Sequence, residues 1–159
     1  MIKVLFICHG NICRSPMAEF IFKEKVNALG LADQFVIASC ATSTEEIWNG
    51  IGNPVYPPAK KELAKHGISC DQKRAVQLKP SDYDAYDYLL GMDEKNIYNL
   101  ERITGHSCRE GKISLLLSYT GTPASIRDPW YSGHFDETYA DIDRGCDAFL
   151  DFLFKNGTL

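Results

Sequence analysis

The chain has 159 residues, a formal net charge of −4, 45% hydrophobic residues and 24% charged residues. That length predicts one domain, 1–159, with enough core to fold without staples, and the composition excludes collagen-like, mucin-like and disordered chains. The acidic balance excludes a generic nucleic-acid or anionic-membrane binder but is compatible with a small basic pocket.

The chain opens Met-Ile-Lys-Val-Leu-Phe-Ile-Cys, an apolar run too short for a signal-peptide core, and no stretch approaches a membrane span. The expected compartment is the cytoplasm, where thiols stay reduced, so the six cysteines are not expected to form a disulfide framework. Ile2, Val4, Leu5, Phe6 and Ile7 form a near-continuous apolar run, the pattern of a strand buried on both faces of a parallel sheet. Ala18, Ile21, Phe22, Val26 and Leu29 recur at helical spacing, and Gly30 ends that helix. A second strand is expected over Phe35–Ala38, and Pro54–Gly67 reads as a loop passing into a helix. Tyr86–Leu90 reads as a third strand, Asp93–Thr104 as a helix closed by Gly105, and Ile113–Leu117 as a short fourth strand. Tyr139, Ile142, Cys146, Phe149, Leu150 and Leu153 keep helical spacing towards the end. The alternation predicts an α/β fold: a four-stranded parallel sheet with helices on both faces, flavodoxin-like and doubly wound. The loops after Ile7, Ala38, Leu90 and Leu117 should converge beyond the carboxyl ends of the strands.

The loop Cys8-His9-Gly10-Asn11-Ile12-Cys13-Arg14-Ser15-Pro16 leads from the first strand into a helix. Inward-facing amides and a helix N-terminus make such a turn an anion cradle. Gly10 and Asn11 tolerate left-handed backbone, Arg14 offers a fork matched to phosphate oxygens, and Ser15 and Pro16 suit a helix start. A thiol held there should ionise readily and attack phosphorus. Taken alone, a cysteine after a strand is more often an inert core residue; the surrounding residue types reverse that reading. No second Cys/His pair at ligand spacing supports a metal site, since His106 and Cys108 stand isolated, and no Gly-Lys-Ser/Thr supports a nucleotide loop. No cofactor is expected.

From Cys8 to Ser15 the chain resembles the low-molecular-weight protein tyrosine phosphatases, whose signature is Cys-x5-Arg-Ser. The likeness runs almost end to end, through Ser39-Cys40-Ala41-Thr42-Ser43, His66-Gly67-Ile68, Asp87-Tyr88, Met92-Asp93 and Asp128-Pro129-Trp130-Tyr131. It implies Cys8 as nucleophile, Arg14 as phosphate binder and Asp128 as general acid and base. Read without the resemblance, Asp128-Pro129 is more often simply a turn start. The resemblance also implies a phosphate-binding loop of His9, Gly10, Asn11, Ile12, Cys13 and Ser15. Behind it, a hydrogen-bond network of Asn11, Ser15, Ser39 and His66 is expected. Asp93 would cap the next helix, support the loop, or both. His9, Trp48, Trp130 and Tyr131 would wall the substrate, and Cys13 would close a reversible disulfide with Cys8. Ser39 ending a strand and His66 ending a helix are the plainer alternatives.

The implied partners are a tyrosine-phosphorylated protein and inorganic phosphate or another oxyanion, with the chain a monomer or weak dimer. The rivals are an arsenate reductase of the same fold and a protein-arginine phosphatase. The first needs two further cysteines close together, whereas Cys40, Cys70, Cys108 and Cys146 are scattered. Ile12 stands where the arginine phosphatases typically carry threonine. A silent phosphopeptide-binding module is disfavoured by the joint presence of Cys8 and Asp128. A dehalogenase-type site at Asp141 and Asp143 is disfavoured because that pair falls on a helical pattern.

Overall fold

In the computed structural model, which describes residues 1–159, strand β1 (Ile2–Cys8) passes through a tight loop into helix α1 (Arg14–Ala28), and strand β2 covers Phe35–Ala41. Two short strands, β3 (Ile47–Trp48) and β4 (Ile51–Gly52), pair as an antiparallel hairpin. Helices α2 (Pro57–Lys65) and α3 (Asp82–Ala85) precede β5 (Tyr88–Gly91), α4 (Glu94–Thr104) and β6 (Ile113–Leu115). A 3₁₀ segment over Leu116–Thr120, helix α5 (Pro129–Ser132) and helix α6 (Phe135–Lys155) complete the chain. None of these helices is long and apolar enough to cross a membrane.

The sheet order is β2-β1-β5-β6 with every pairing parallel. β1 is central, with Val4 opposite Ile37 on one side and Tyr88 on the other. Its residues alternate between two cores because successive side chains leave opposite faces of a strand. Val4, Phe6 and Cys8 pack with Met17, Ile21 and Phe22 of α1, Leu63 of α2 and Phe149 of α6. Leu5 and Ile7 pack with Tyr83 of α3 and with Ile97 and Leu100 of α4. Helices therefore cover both faces, as the unbroken apolar run of β1 implied.

Several boundaries differ from expectation, each for a local reason. α1 begins at Arg14, ahead of its apolar stripe, because its first turn buries Arg14 and Ser15 against the loop rather than in the apolar core. β2 runs on to Ala41, whose amide and carbonyl pair with Val76 and Leu78. β5 starts at Tyr88, after α3 has taken Asp82–Ala85. The fourth strand stops at Leu115; Leu116 and Leu117 stay buried but turn into a 3₁₀ segment against α6. Gly145 of α6 permits that approach, since a Cβ there would meet Leu116 Cγ at 2.8 Å.

Candidate active site

Cys8 ends β1 at the centre of the sheet, with β2 and β5 as its neighbours. The loop after it holds Asn11 at φ 58°, the left-handed region that an asparagine tolerates better than most residues. The carbonyls of Cys8, His9 and Ile12 accept from the amides of Thr42, Ser43 and Tyr56 at 3.0, 2.9 and 2.9 Å, which ties the loop's acceptors to neighbouring segments. Amides meanwhile gather on the sulfur: Cys8 Sγ accepts from Asn11 N at 3.3 Å and Ser15 N at 3.4 Å, and Ser15 Oγ lies 3.0 Å away. Backbone donors around one sulfur favour negative charge on it.

Arg14, at the start of α1, is 3% exposed. Its Nη1 donates to Asp93 Oδ2 at 2.7 Å and to the Ile126 carbonyl at 2.9 Å, and its Nη2 lies 3.6 Å from Asp128 Oδ2. Burial opposes the charge on Arg14, but Cys8, Asp93 and Asp128 outweigh it and raise its pKa above the ordinary arginine value. Asp93 does two jobs. It accepts from Asn96 N as the N-cap of α4 and fixes the guanidinium. Asp128 caps α5, accepting from Trp130 N at 3.0 Å through Oδ1, which leaves Oδ2 towards Arg14.

A cavity of about 380 Å³ opens above these groups, lined by Cys8, His9, Gly10, Ile12, Cys13, Arg14, Glu45, Glu46, Asp128, Trp130 and Tyr131. Trp130 stacks obliquely on Tyr56, with ring centres 4.7 Å apart. Burial pushes the Cys13 thiol far above its usual range, and the neighbouring Cys8 and Asp128 push it further. Cys13 is thus held as a neutral thiol. No three His, Cys, Asp or Glu side chains gather as a metal-binding group would require.

Two expected neighbours lie elsewhere. Trp48 is 79% exposed on the β3–β4 hairpin and does not line the cavity; Glu45 and Glu46 occupy that wall, and His9 Nε2 meets Glu45 Oε2 at 3.0 Å. His66 is not in the network behind the loop. It caps the C-terminal end of α2, where its ring stacks on Tyr139 of α6 at 3.7 Å and its Nε2 lies 3.4 Å from Glu62. Asn11, Ser15 and Ser39 do form the network: Asn11 Nδ2 donates to Ser15 Oγ at 2.7 Å and to Ser39 Oγ at 2.9 Å. Its remaining members are Glu19, which accepts from Ser39 Oγ at 2.6 Å, and Lys73, which donates to the Ser39 carbonyl at 3.0 Å. Sequence reasoning missed both. Glu19 interrupts an apolar helical stripe, a detectable signal of a buried charge, whereas nothing local marks Lys73.

Compared with known proteins, residues 3–158 match the family model described as low molecular weight phosphotyrosine protein phosphatase. The chain is 37% identical to the low molecular weight protein-tyrosine-phosphatase YfkJ of Bacillus subtilis, with all of both chains aligned. It is 40% identical to the low molecular weight phosphotyrosine protein phosphatase of Rattus norvegicus, over 94% of each chain. The crystal structure of YfkJ superposes with a TM-score of 0.90, covering 98% of this chain and 96% of that one. Vibrio vulnificus Wzb, solved in complex with benzylphosphonate, superposes with a TM-score of 0.81 at 25% identity, covering 96% of this chain and 99% of that one.

Proposed function

From the premise that this chain belongs to the low molecular weight phosphotyrosine protein phosphatase family, and is a protein-tyrosine-phosphatase, we propose that it hydrolyses phosphotyrosine in proteins through a cysteinyl-phosphate at Cys8. One observation carries the reading. Cys8 and Asp128, far apart in sequence, line one cavity, with the guanidinium of Arg14 held at its base.

In the first step the Cys8 thiolate forms an S–P bond as the P–O bond to the tyrosine breaks. Asp128, protonated, gives its proton to the departing phenolate oxygen. In the second step the Asp128 carboxylate takes a proton from water while that oxygen attacks phosphorus. The S–P bond breaks, the thiolate re-forms and inorganic phosphate leaves. Arg14 and the loop amides at Gly10, Asn11, Ile12 and Ser15 hold the equatorial oxygens as their charge redistributes. Asp93 keeps Arg14 aimed. Trp130 and Tyr131 flank the phenyl ring, and the benzylphosphonate bound by Vibrio vulnificus Wzb is an aryl-bearing phosphorus ligand of the same shape. Cys13, which shares the loop and the cavity with Cys8, is placed to be a redox partner, and six free cysteines suit a reducing compartment such as the cytoplasm.

Phosphate release from phosphotyrosine, phosphoserine and phosphoarginine peptides tests this reading. Wild type should act on phosphotyrosine, and Cys8→Ser should release none. Asp128→Ala should turn over about 100- to 10,000-fold more slowly, the usual worth of a general acid. A Cys8→Ser variant with the wild-type rate overturns the mechanism, and a wild type that prefers phosphoarginine overturns the substrate.

A further inference from the structure

Behind the phosphate loop lies a buried ion pair to which the proposed reaction gives no task. Glu19, one turn beyond Ser15 on α1, has a side chain only 7% exposed, and Lys73 reaches it with a side chain 12% exposed. Lys73 Nζ lies 3.7 Å from Glu19 Oε1 and donates to the Ser39 carbonyl at 3.0 Å. Lys23 meets the other oxygen, Oε2, at 2.5 Å, but its side chain is 42% exposed and its charge is screened by solvent. A carboxylate this enclosed needs a counter-charge that is itself shielded from solvent, and Lys73 is the one present.

An ionised carboxylate can only accept hydrogen bonds. Ser39 Oγ therefore gives its proton to Glu19 Oε1, 2.6 Å away. Its lone pair then receives one proton of Asn11 Nδ2. The other Nδ2 proton goes to Ser15 Oγ. Val76 N donates to Asn11 Oδ1 at 3.0 Å and so fixes which end of the amide faces the serines. Ser15 Oγ, already an acceptor, has its own proton free for Cys8 Sγ at 3.0 Å; its other acceptor, the Cys40 carbonyl, is 3.5 Å away. Were Glu19 neutral or displaced, Ser39 could rotate its hydroxyl and the direction of the chain would be lost.

We propose that Lys73 is a positioning residue: by pairing with Glu19 and holding its carboxylate against Ser39, it sets the direction of the Glu19–Ser39–Asn11–Ser15 chain and keeps the Ser15 hydroxyl donating to the Cys8 sulfur. The proposal rests on Cys8 being the nucleophile of the reaction above. It acts on the thiolate and leaves the phosphate contacts of Arg14 in place.

The test compares Lys73→Met, Lys73→Gln and Lys73→Arg with wild type in two assays. One is the steady-state kinetics of a phosphotyrosine peptide. The other is the pH course of Cys8 carboxymethylation by iodoacetate, followed on the Cys8 peptide by mass spectrometry. In Lys73→Met, kcat should fall about tenfold, the scale of a small misalignment at a reacting centre, with KM changed less than about twofold. The midpoint of Cys8 alkylation should move up by about half to one pH unit, because a hydrogen bond to the charged form is lost. Lys73→Gln, which keeps a donor but no charge, should behave like Lys73→Met and decides the matter if the methionine variant fails to fold. Lys73→Arg should restore both readouts. A merely structural lysine would lower thermal stability without moving the alkylation midpoint. Wild-type kcat and midpoint in the folded neutral variants overturn the proposal while the phosphatase reading stands. If wild type itself ignores phosphotyrosine, that reading fails, and the alkylation midpoint still judges Lys73.

Discussion

Cys8 and Cys13 share a loop and a cavity but differ in chemistry, because Cys8 Sγ collects amide donors while Cys13 is buried beside two acidic groups. That contrast predicts an ordered oxidation. Peroxide converts the Cys8 thiolate to a sulfenic acid, and the Cys13 thiol then displaces water to close a disulfide. Peroxide-treated protein should lose activity, show a Cys8–Cys13 bridge by mass spectrometry and recover with dithiothreitol. Cys13→Ser should instead fail to recover after prolonged exposure; full recovery of that variant would remove Cys13 from the scheme. Residue identity made Cys8 and Arg14 legible from sequence, because few other reasons place Cys-x5-Arg between a buried strand and a helix; Asp128 was expected from the family resemblance, since its own neighbours read as a turn start. The same reasoning misplaced His66 and Trp48. A histidine before a glycine fits a helix end as readily as a network, and the outcome depends on Tyr139 lying within stacking distance. A loop tryptophan fits a lid as readily as an exposed hairpin, and only the pairing of Trp48 with Ile51 settles which.

The elements were legible where periodicity runs long, as in β1, α1, α4 and α6, and blurred where tertiary contacts end them. The β3–β4 hairpin was not foreseen, since its strands are two residues each and carry no usable alternation. It nevertheless matters to the site. Gly52 packs so closely on the next segment that a Cβ would lie 1.9 Å from the Ala75 carbonyl oxygen. Arg74 also binds the Gly52 carbonyl at 3.0 Å, and Ala75 N donates to the Asn53 carbonyl. This seats Val76, whose amide anchors Asn11. Gly52→Ala should therefore displace that segment and cost about 1–3 kcal/mol, the range for overpacking. Urea unfolding should show a lower midpoint, with reduced turnover in the folded fraction. An unchanged midpoint would mean that the hairpin yields freely.

Across the whole molecule, α6 closes the larger core. Phe149 is fully buried against Phe22, Tyr88 and Tyr119, with ring centres 5.5, 5.1 and 4.9 Å away. Phe149→Ala should cost about 3–5 kcal/mol, a large share of a typical domain's 5–15 kcal/mol. Guanidinium unfolding would measure it, and a loss below about 1 kcal/mol would mean the neighbouring rings collapse into the gap. The α/β architecture, the order of the four sheet strands and the longer helices, and the anion-binding character of the Cys8–Ser15 loop follow from local pattern: apolar period, turn residues and a loop whose composition suits an anion. Such information is carried by neighbours in the chain. The Glu19–Lys73 pair, the contact of Asp93 with Arg14, and the acidic wall of Glu45 and Glu46 come from residues that meet only after β1, β2 and β5 pair. Burial and charge depend on what arrives from elsewhere in the fold, and no stretch of sequence encodes its distant partner.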